Sequence, residues 1–77
     1  MPRFFYDLFF DRYVILDSCG MVFEAVAGAT AAADQLAAHL PTLRFELRQC
    51  GGWIRVRDSS RKEICRSSIA ADPGRLP

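Results

Sequence analysis

Residues 3–10 of the chain, Arg-Phe-Phe-Tyr-Asp-Leu-Phe-Phe, leave it few ways to fold. Aromatic side chains favour strands. At the two-residue period of a strand, Phe4, Tyr6, Leu8 and Phe10 share one face, and Phe5, Asp7 and Phe9 share the other. Six of the nine aromatic residues lie within the first thirteen positions, so both faces of this strand are apolar. One helix covers only one face of a sheet. Phe5 and Phe9 therefore need a second cover, and exposed they would form the kind of apolar patch that marks an interface.

The segments that follow supply the rest of a sheet and one helix. Residues 13–16 (Tyr-Val-Ile-Leu) are apolar and partly β-branched, and only Asp11-Arg12 separates them from the first strand, which predicts a tight antiparallel hairpin. Asp17-Ser18-Cys19-Gly20 reads as a turn, with a side chain that bonds its own backbone and a glycine able to take positive φ. Half of the sixteen residues 25–40 are alanine, with no proline and one glycine, which predicts a helix. Its apolar stripe runs through Ala29, Ala32 or Ala33, Leu36 and Leu40. Thr30 is a candidate N-cap.

Two patterns overlap after Pro41. Leu43 and Leu47 extend the helical stripe past a kink at the proline. Leu43, Phe45 and Leu47 also alternate with Arg44, Glu46 and Arg48 as a strand would. Trp53–Asp58 (Trp-Ile-Arg-Val-Arg-Asp) is a strand with Ile54 and Val56 inward and Arg55 and Arg57 outward. Asp58-Ser59-Ser60-Arg61 turns it back into a polar edge strand at 62–67. These elements predict a two-layer α+β domain over residues 1–69, ordered ββαββ, with one long helix on one face of an antiparallel sheet and a variant carrying an extra strand at 42–48. Residues 70–77, with two prolines and a glycine, read as a flexible tail.

At 77 residues the chain makes one domain at most. Apolar residues are 51% and charged residues 25%, an ordinary globular balance. No run of about 18 apolar residues exists to span a membrane, and the first residues do not resemble a secretory signal, so a cytoplasmic protein is expected. The net charge of +1 is unevenly spread: residues 1–38 sum to −3 (two basic, five acidic) and residues 39–77 to +4 (eight basic, four acidic). Two such poles can attract a second copy. Cys19, Cys50 and Cys65 are too widely spaced, with His39 the only histidine, for a four-ligand zinc site; free thiols and no metal are expected.

The order of features resembles a bacterial family of small proteins, common in soil-dwelling alphaproteobacteria and classed as a domain of unknown function. Members open with M-P-R-[FY]-[FY]-F, here Met1-Pro2-Arg3-Phe4-Phe5 with Tyr6 in place of the final Phe. They continue through D-x-x-G, here Asp17–Gly20, an alanine-rich helix, and W-x-I-x-V-x-D, to which Trp53-Ile54-Arg55-Val56-Arg57-Asp58 is similar with one residue fewer between Trp and Ile. The resemblance covers roughly residues 1–69. It departs where Ser60-Arg61 replaces a usual hairpin glycine, where Glu63 and Ser67 stand in a usually apolar strand, and where Pro41 interrupts the helix. It implies no reaction, cofactor or catalytic residue.

Catalytic chemistry has little support in the residues themselves. His39 is the only candidate base for a nucleophile, no phosphate-cradling glycine loop occurs, and Asp7, Asp11 and Asp17 sit where carboxylates cap turns. The chain is therefore expected to be no enzyme, to hold no cofactor, and to act as a protein–protein interaction domain with an unidentified partner. It is also expected to form a homodimer through Phe5 and Phe9. The alternative is single-stranded nucleic-acid binding, with Trp53, Arg55 and Arg57 on one strand face and Arg66 beside them as a stacking and phosphate-binding platform.

Overall fold

The computed structural model describes residues 2–70, and the expected tail at 70–77 lies outside them apart from Ala70. The long aromatic strand β1 (Arg3–Phe10) turns through Asp11-Arg12 into the short β2 (Tyr13–Ile15), with Asp11 at φ 51. A two-residue strand, β3 (Met21–Val22), follows. Helices α1 (Val26–Leu43) and α2 (Phe45–Cys50) precede the hairpin of β4 (Gly52–Asp58) and β5 (Glu63–Ile69). The sheet is antiparallel throughout, in the order β2-β1-β4-β5. β3 also pairs with β1, opposite Arg3 and Phe4, while β2 pairs with Leu8–Phe10. The fold is thus the expected α+β arrangement with one strand more, because two residues between Gly20 and Phe23 are too short a run to carry a visible period.

The two periods of the chain meet in the core. Leu8, Phe10, Ile54 and Ile69 pack under Leu36, Ala37 and Leu40 of α1 and Leu47 of α2. Phe4 and Val56 pack under Ala29 and Ala33, with Phe23, Ile64 and Cys65 at the margin. Ala29 and Ala33 are fully buried, and their small side chains let α1 lie close to the strands. Tyr6 joins both clusters and donates its hydroxyl to the Ala29 carbonyl at 2.8 Å. Ser67, polar in a strand that the resemblance makes apolar, is buried and donates to Asp34 Oδ1 at 2.7 Å. A buried hydroxyl is tolerated when it is bonded.

Two expectations about the helix are corrected. Its first residue is Val26, and Thr30 is no cap: its hydroxyl donates to the Ala27 carbonyl, one turn back within the helix. The variant strand at 42–48 does not form. α1 runs through Pro41 to Leu43, a single extended residue (Arg44, φ −125, ψ 114) re-aims the chain, and α2 begins. The reason is tertiary. An extended segment would place Leu43, Phe45 and Leu47 together on one face, whereas the core takes Leu47 (0% exposed) and leaves Leu43 and Phe45 67% and 56% exposed. Nor is a pairing position open along β1, since β4 occupies one side and β2 and β3 the other.

Candidate binding face of the sheet

The face of the sheet turned away from α1 carries Phe5, Asp7 and Phe9 from β1, and the antiparallel register sets Arg57, Arg55 and Trp53 directly opposite them in that order. All four residues of the expected platform are therefore on one face, and Phe5 and Phe9 share it. In the sequence these residues belong to two separate strand faces; the β1–β4 pairing makes them one.

Asp7 is at its centre: it is not the turn cap that its place beside Asp11 and Asp17 in the sequence suggests, but sits mid-strand in β1 on two arginines of β4. Its side chain is fully buried on a face no helix covers, where Arg55, Arg57 and the Asp17 backbone close on its carboxylate. Oδ2 accepts from Arg55 Nε (3.1 Å) and Nη2 (2.8 Å) and from Arg57 Nε (2.8 Å), and Oδ1 accepts from the backbone N–H of Asp17 (3.0 Å). Arg57 Nη2 reaches on to the Asp17 carbonyl at 2.9 Å. Desolvation acts to raise the pKa of Asp7, but the hydrogen bonds from Arg57, the Asp17 backbone and Arg55, with the charge on Arg57, outweigh it together. The net effect holds Asp7 below its ordinary value and keeps it anionic. The signal was present in the sequence as a lone carboxylate in an apolar strand, with two arginines at i and i+2 in a later one.

Asp17 completes the arrangement. Between β2 and β3, β1 has no strand partner at Tyr6, and Asp17 Oδ2 takes the Tyr6 N–H at 3.1 Å. Its Oδ1 accepts from the N–H groups of Cys19 and Gly20, both at 3.0 Å, with Gly20 at φ 72. Burial acts to raise the Asp17 pKa, and the backbone donors Gly20, Tyr6 and Cys19 together more than offset it. Arg3 Nη1 also donates to the Cys19 carbonyl (2.7 Å), and Phe23 N–H to the Pro2 carbonyl (3.2 Å), tying the chain's opening to this turn. Asp58 does the equivalent at the far hairpin, accepting from the backbone N–H groups of Ser60 and Lys62 and from the Ser60 hydroxyl. Asp17, which opens the D-x-x-G element, and Asp58, which ends β4, are turn locks in this chain.

The aromatic rings are not bare. Phe9 and Trp53 stack with centroids 3.9 Å apart and planes 3° from parallel. Arg66 lies over Trp53 at 4.3 Å, Arg55 over Phe9 at 5.0 Å and Arg57 over Phe5 at 4.6 Å. Face-to-face rings are not the preferred pairing on quadrupole grounds, and cations over the rings offset that penalty. Because β4 lies between β1 and β5, Phe9 and Arg66 occupy opposite faces of Trp53.

Phe5 and Phe9 are half-buried under this cover. A contiguous run of bare apolar residues lies instead along the β2–β3 edge: Tyr13 is 61% exposed, Val14 52%, Ile15 45% and Leu16 61%, followed by Met21 and Val22, while Val26, Leu43 and Phe45 are exposed on the helices. The opposite edge, β5, carries Glu63 and Arg66, paired at 3.0 Å, and an irregular register near Val56 and Arg57.

Residues 3–70 match the family described as a domain of unknown function (DUF6894). The chain belongs to that family. DUF6894 carries no stated activity, and no curated protein and no solved structure matches the chain. Among the described residues, no group of three or more His, Cys, Asp or Glu side chains is placed to hold a metal ion, and no helix is long and apolar enough to cross a membrane.

Proposed function

We propose that this DUF6894 domain is a non-catalytic protein interaction module that pairs with a second copy of itself along the β2 edge. The carrying observation is the asymmetry of the two sheet edges. β2 and the residue that follows it present four consecutive exposed apolar residues, Tyr13–Leu16, with no lysine or proline among them. Such an edge is a template for another strand. The β5 edge has the ion pair and the irregularity that discourage pairing. Joining β2 to β5 of another copy would also build an open filament, whereas β2 against β2 across a two-fold axis closes after two copies. Each fully buried apolar side chain contributes about 1.5–3 kcal/mol, so several are needed against an association cost of at least about 4 kcal/mol. The edge has several.

The absence of catalysis is supported by Asp7. The buried carboxylate that would otherwise be the natural acid or base is held ionised by two arginines, with its oxygens occupied. The free cysteines fit a reducing compartment, and we place the module in the cytoplasm. Nucleic-acid binding through Trp53 has weaker support, because a base would have to displace Arg66 to reach a ring face.

Sedimentation at micromolar concentration tests the reading. A species of twice the 8.7 kDa chain mass is expected, and Val14→Lys should return it to the monomer with its helical signal intact. Phe5→Asp should leave the dimer in place. A monomeric wild type overturns the proposal; a dimer broken by Phe5→Asp and not by Val14→Lys moves the interface to the aromatic face.

A further inference from the structure

Leu16, Arg55, Arg57 and Arg61 line an open notch of about 500 Å³ on the face of the sheet away from α1. We infer that this notch binds the phosphate group of a phosphomonoester. Two of its arginines are already fixed in place. Arg55 is held through Nε and Nη2 and Arg57 through Nε and Nη2, so Asp7 and the Asp17 carbonyl set both guanidinium planes and Nη1 of each stays outside these bonds. A guanidinium immobilised before a ligand arrives loses little freedom on binding, and its fork matches phosphate oxygens.

The third arginine is a separate observation. Arg61 ends the β4–β5 turn at φ 71, the left-handed region in which glycine is unstrained and arginine is not. A strained side chain is retained where the surrounding structure or a function holds it, and this one lines the same notch as Arg55 and Arg57. The three guanidiniums carry three positive charges, and Asp7 beneath them offsets one. Asp17 and Asp58 nearby carry two further negative charges, and each carboxylate is turned onto backbone N–H groups, away from the arginine forks. A phosphomonoester presents three free oxygens to the three guanidiniums, where a phosphodiester presents two. The notch is also larger than a phosphate, and Leu16 offers an apolar wall to the organic part.

The Arg61→Gly variant separates ligand binding from folding, because it relieves strain as it removes the charge. Its melting temperature should rise by roughly 2–6 °C. The full chain with 15N-labelled arginine is titrated at constant ionic strength, reading the Nε–Hε signals of Arg55 and Arg57. The probes are inorganic phosphate, phenyl phosphate, sodium acetate and a single-stranded oligonucleotide lacking a terminal phosphate. Phenyl phosphate should bind with a Kd of about 1 mM, ahead of inorganic phosphate and well ahead of acetate, and Arg61→Gly should weaken it about tenfold. Equal affinity in Arg61→Gly and wild type, or no shift by about 20 mM phenyl phosphate, overturns the inference. Tighter binding of the oligonucleotide overturns the monoester assignment. Sedimentation, which reports on the β2 edge, does not enter this readout, so the two proposals fail separately.

Discussion

Among the described residues, the Asp7 side chain bonds three separate segments of the chain together. It lies in β1, bonds two arginines of β4, and takes the backbone N–H of Asp17 from the turn before β3. Removing one member of a buried ion pair leaves the other charge uncompensated, which is far more costly than removing both. In Asp7→Ala, Arg55 and Arg57 would stand two residues apart on one strand face with nothing between them. The arginine side chains are 30% and 19% exposed, so water recovers part of the loss. The expected destabilisation is about 3 kcal/mol, read as a lower urea midpoint with an unchanged slope. A loss under about 1 kcal/mol would mean that the pair is solvated in solution. The importance of this residue was half-legible: its type and parity are in the sequence, but its burial depends on two arginines about fifty positions away.

At the scale of the element, the turn Asp17–Gly20 is as structural as the strands it joins. Its carboxylate fills the gap in β1's ladder at Tyr6, and Gly20 takes φ 72 with its Cα facing the Phe4 carbonyl and the Arg3 side chain. A Cβ there would lie 2.8 Å from Phe4 O and 2.9 Å from Arg3 Cγ. Gly20→Ala combines that contact with left-handed strain, and should cost about 1–3 kcal/mol in thermal or denaturant unfolding. A change within about 0.5 kcal/mol would show that the turn has room to relax. Helix α1 gives the opposite lesson. Pro41 lacks the N–H that would bond the carbonyl four residues back, yet the helix continues, because only two further residues follow before Arg44 donates its N–H to the Leu40 carbonyl. A breaker near the end of a helix has little left to break.

The whole molecule is organised around β1, which pairs on both sides with segments from different parts of the chain. Beside the backbone ladder, the Asp7 carboxylate links it to β4 and the Asp17 carboxylate ties the following turn to it, and acid should therefore weaken the fold. Asp7 and Asp17 are both held below the ordinary value of 3.8 in the folded state. A carboxyl whose folded pKa is depressed stabilises the fold above its unfolded pKa, and that contribution fades as pH falls through the folded value. Stability should be flat from neutrality to about pH 5 and drop progressively below about pH 4. Asp7→Asn should flatten that acid limb; an unchanged limb would assign acid unfolding to other groups.

Much of this architecture follows from local pattern. The period of two in residues 3–10 and 53–58, and the alanine-rich stretch with its apolar stripe, specify two strands, a helix and the faces they bury, because those periods express the backbone geometry of each element. The outward parity of Phe5, Phe9, Trp53, Arg55 and Arg57 is local in the same sense. What lies across from each of them is not. The pairing of β1 with β4 converted two expected patches into one interlocked face, and put cations over rings that sequence alone left bare. Leu43, Phe45 and Leu47 fit a helix and a strand equally well, and only the lack of a free position beside β1 and the core's demand for Leu47 decided between them. The exposed β2 edge was likewise invisible, since exposure depends on where the helix comes to rest across the sheet, which periodicity does not encode.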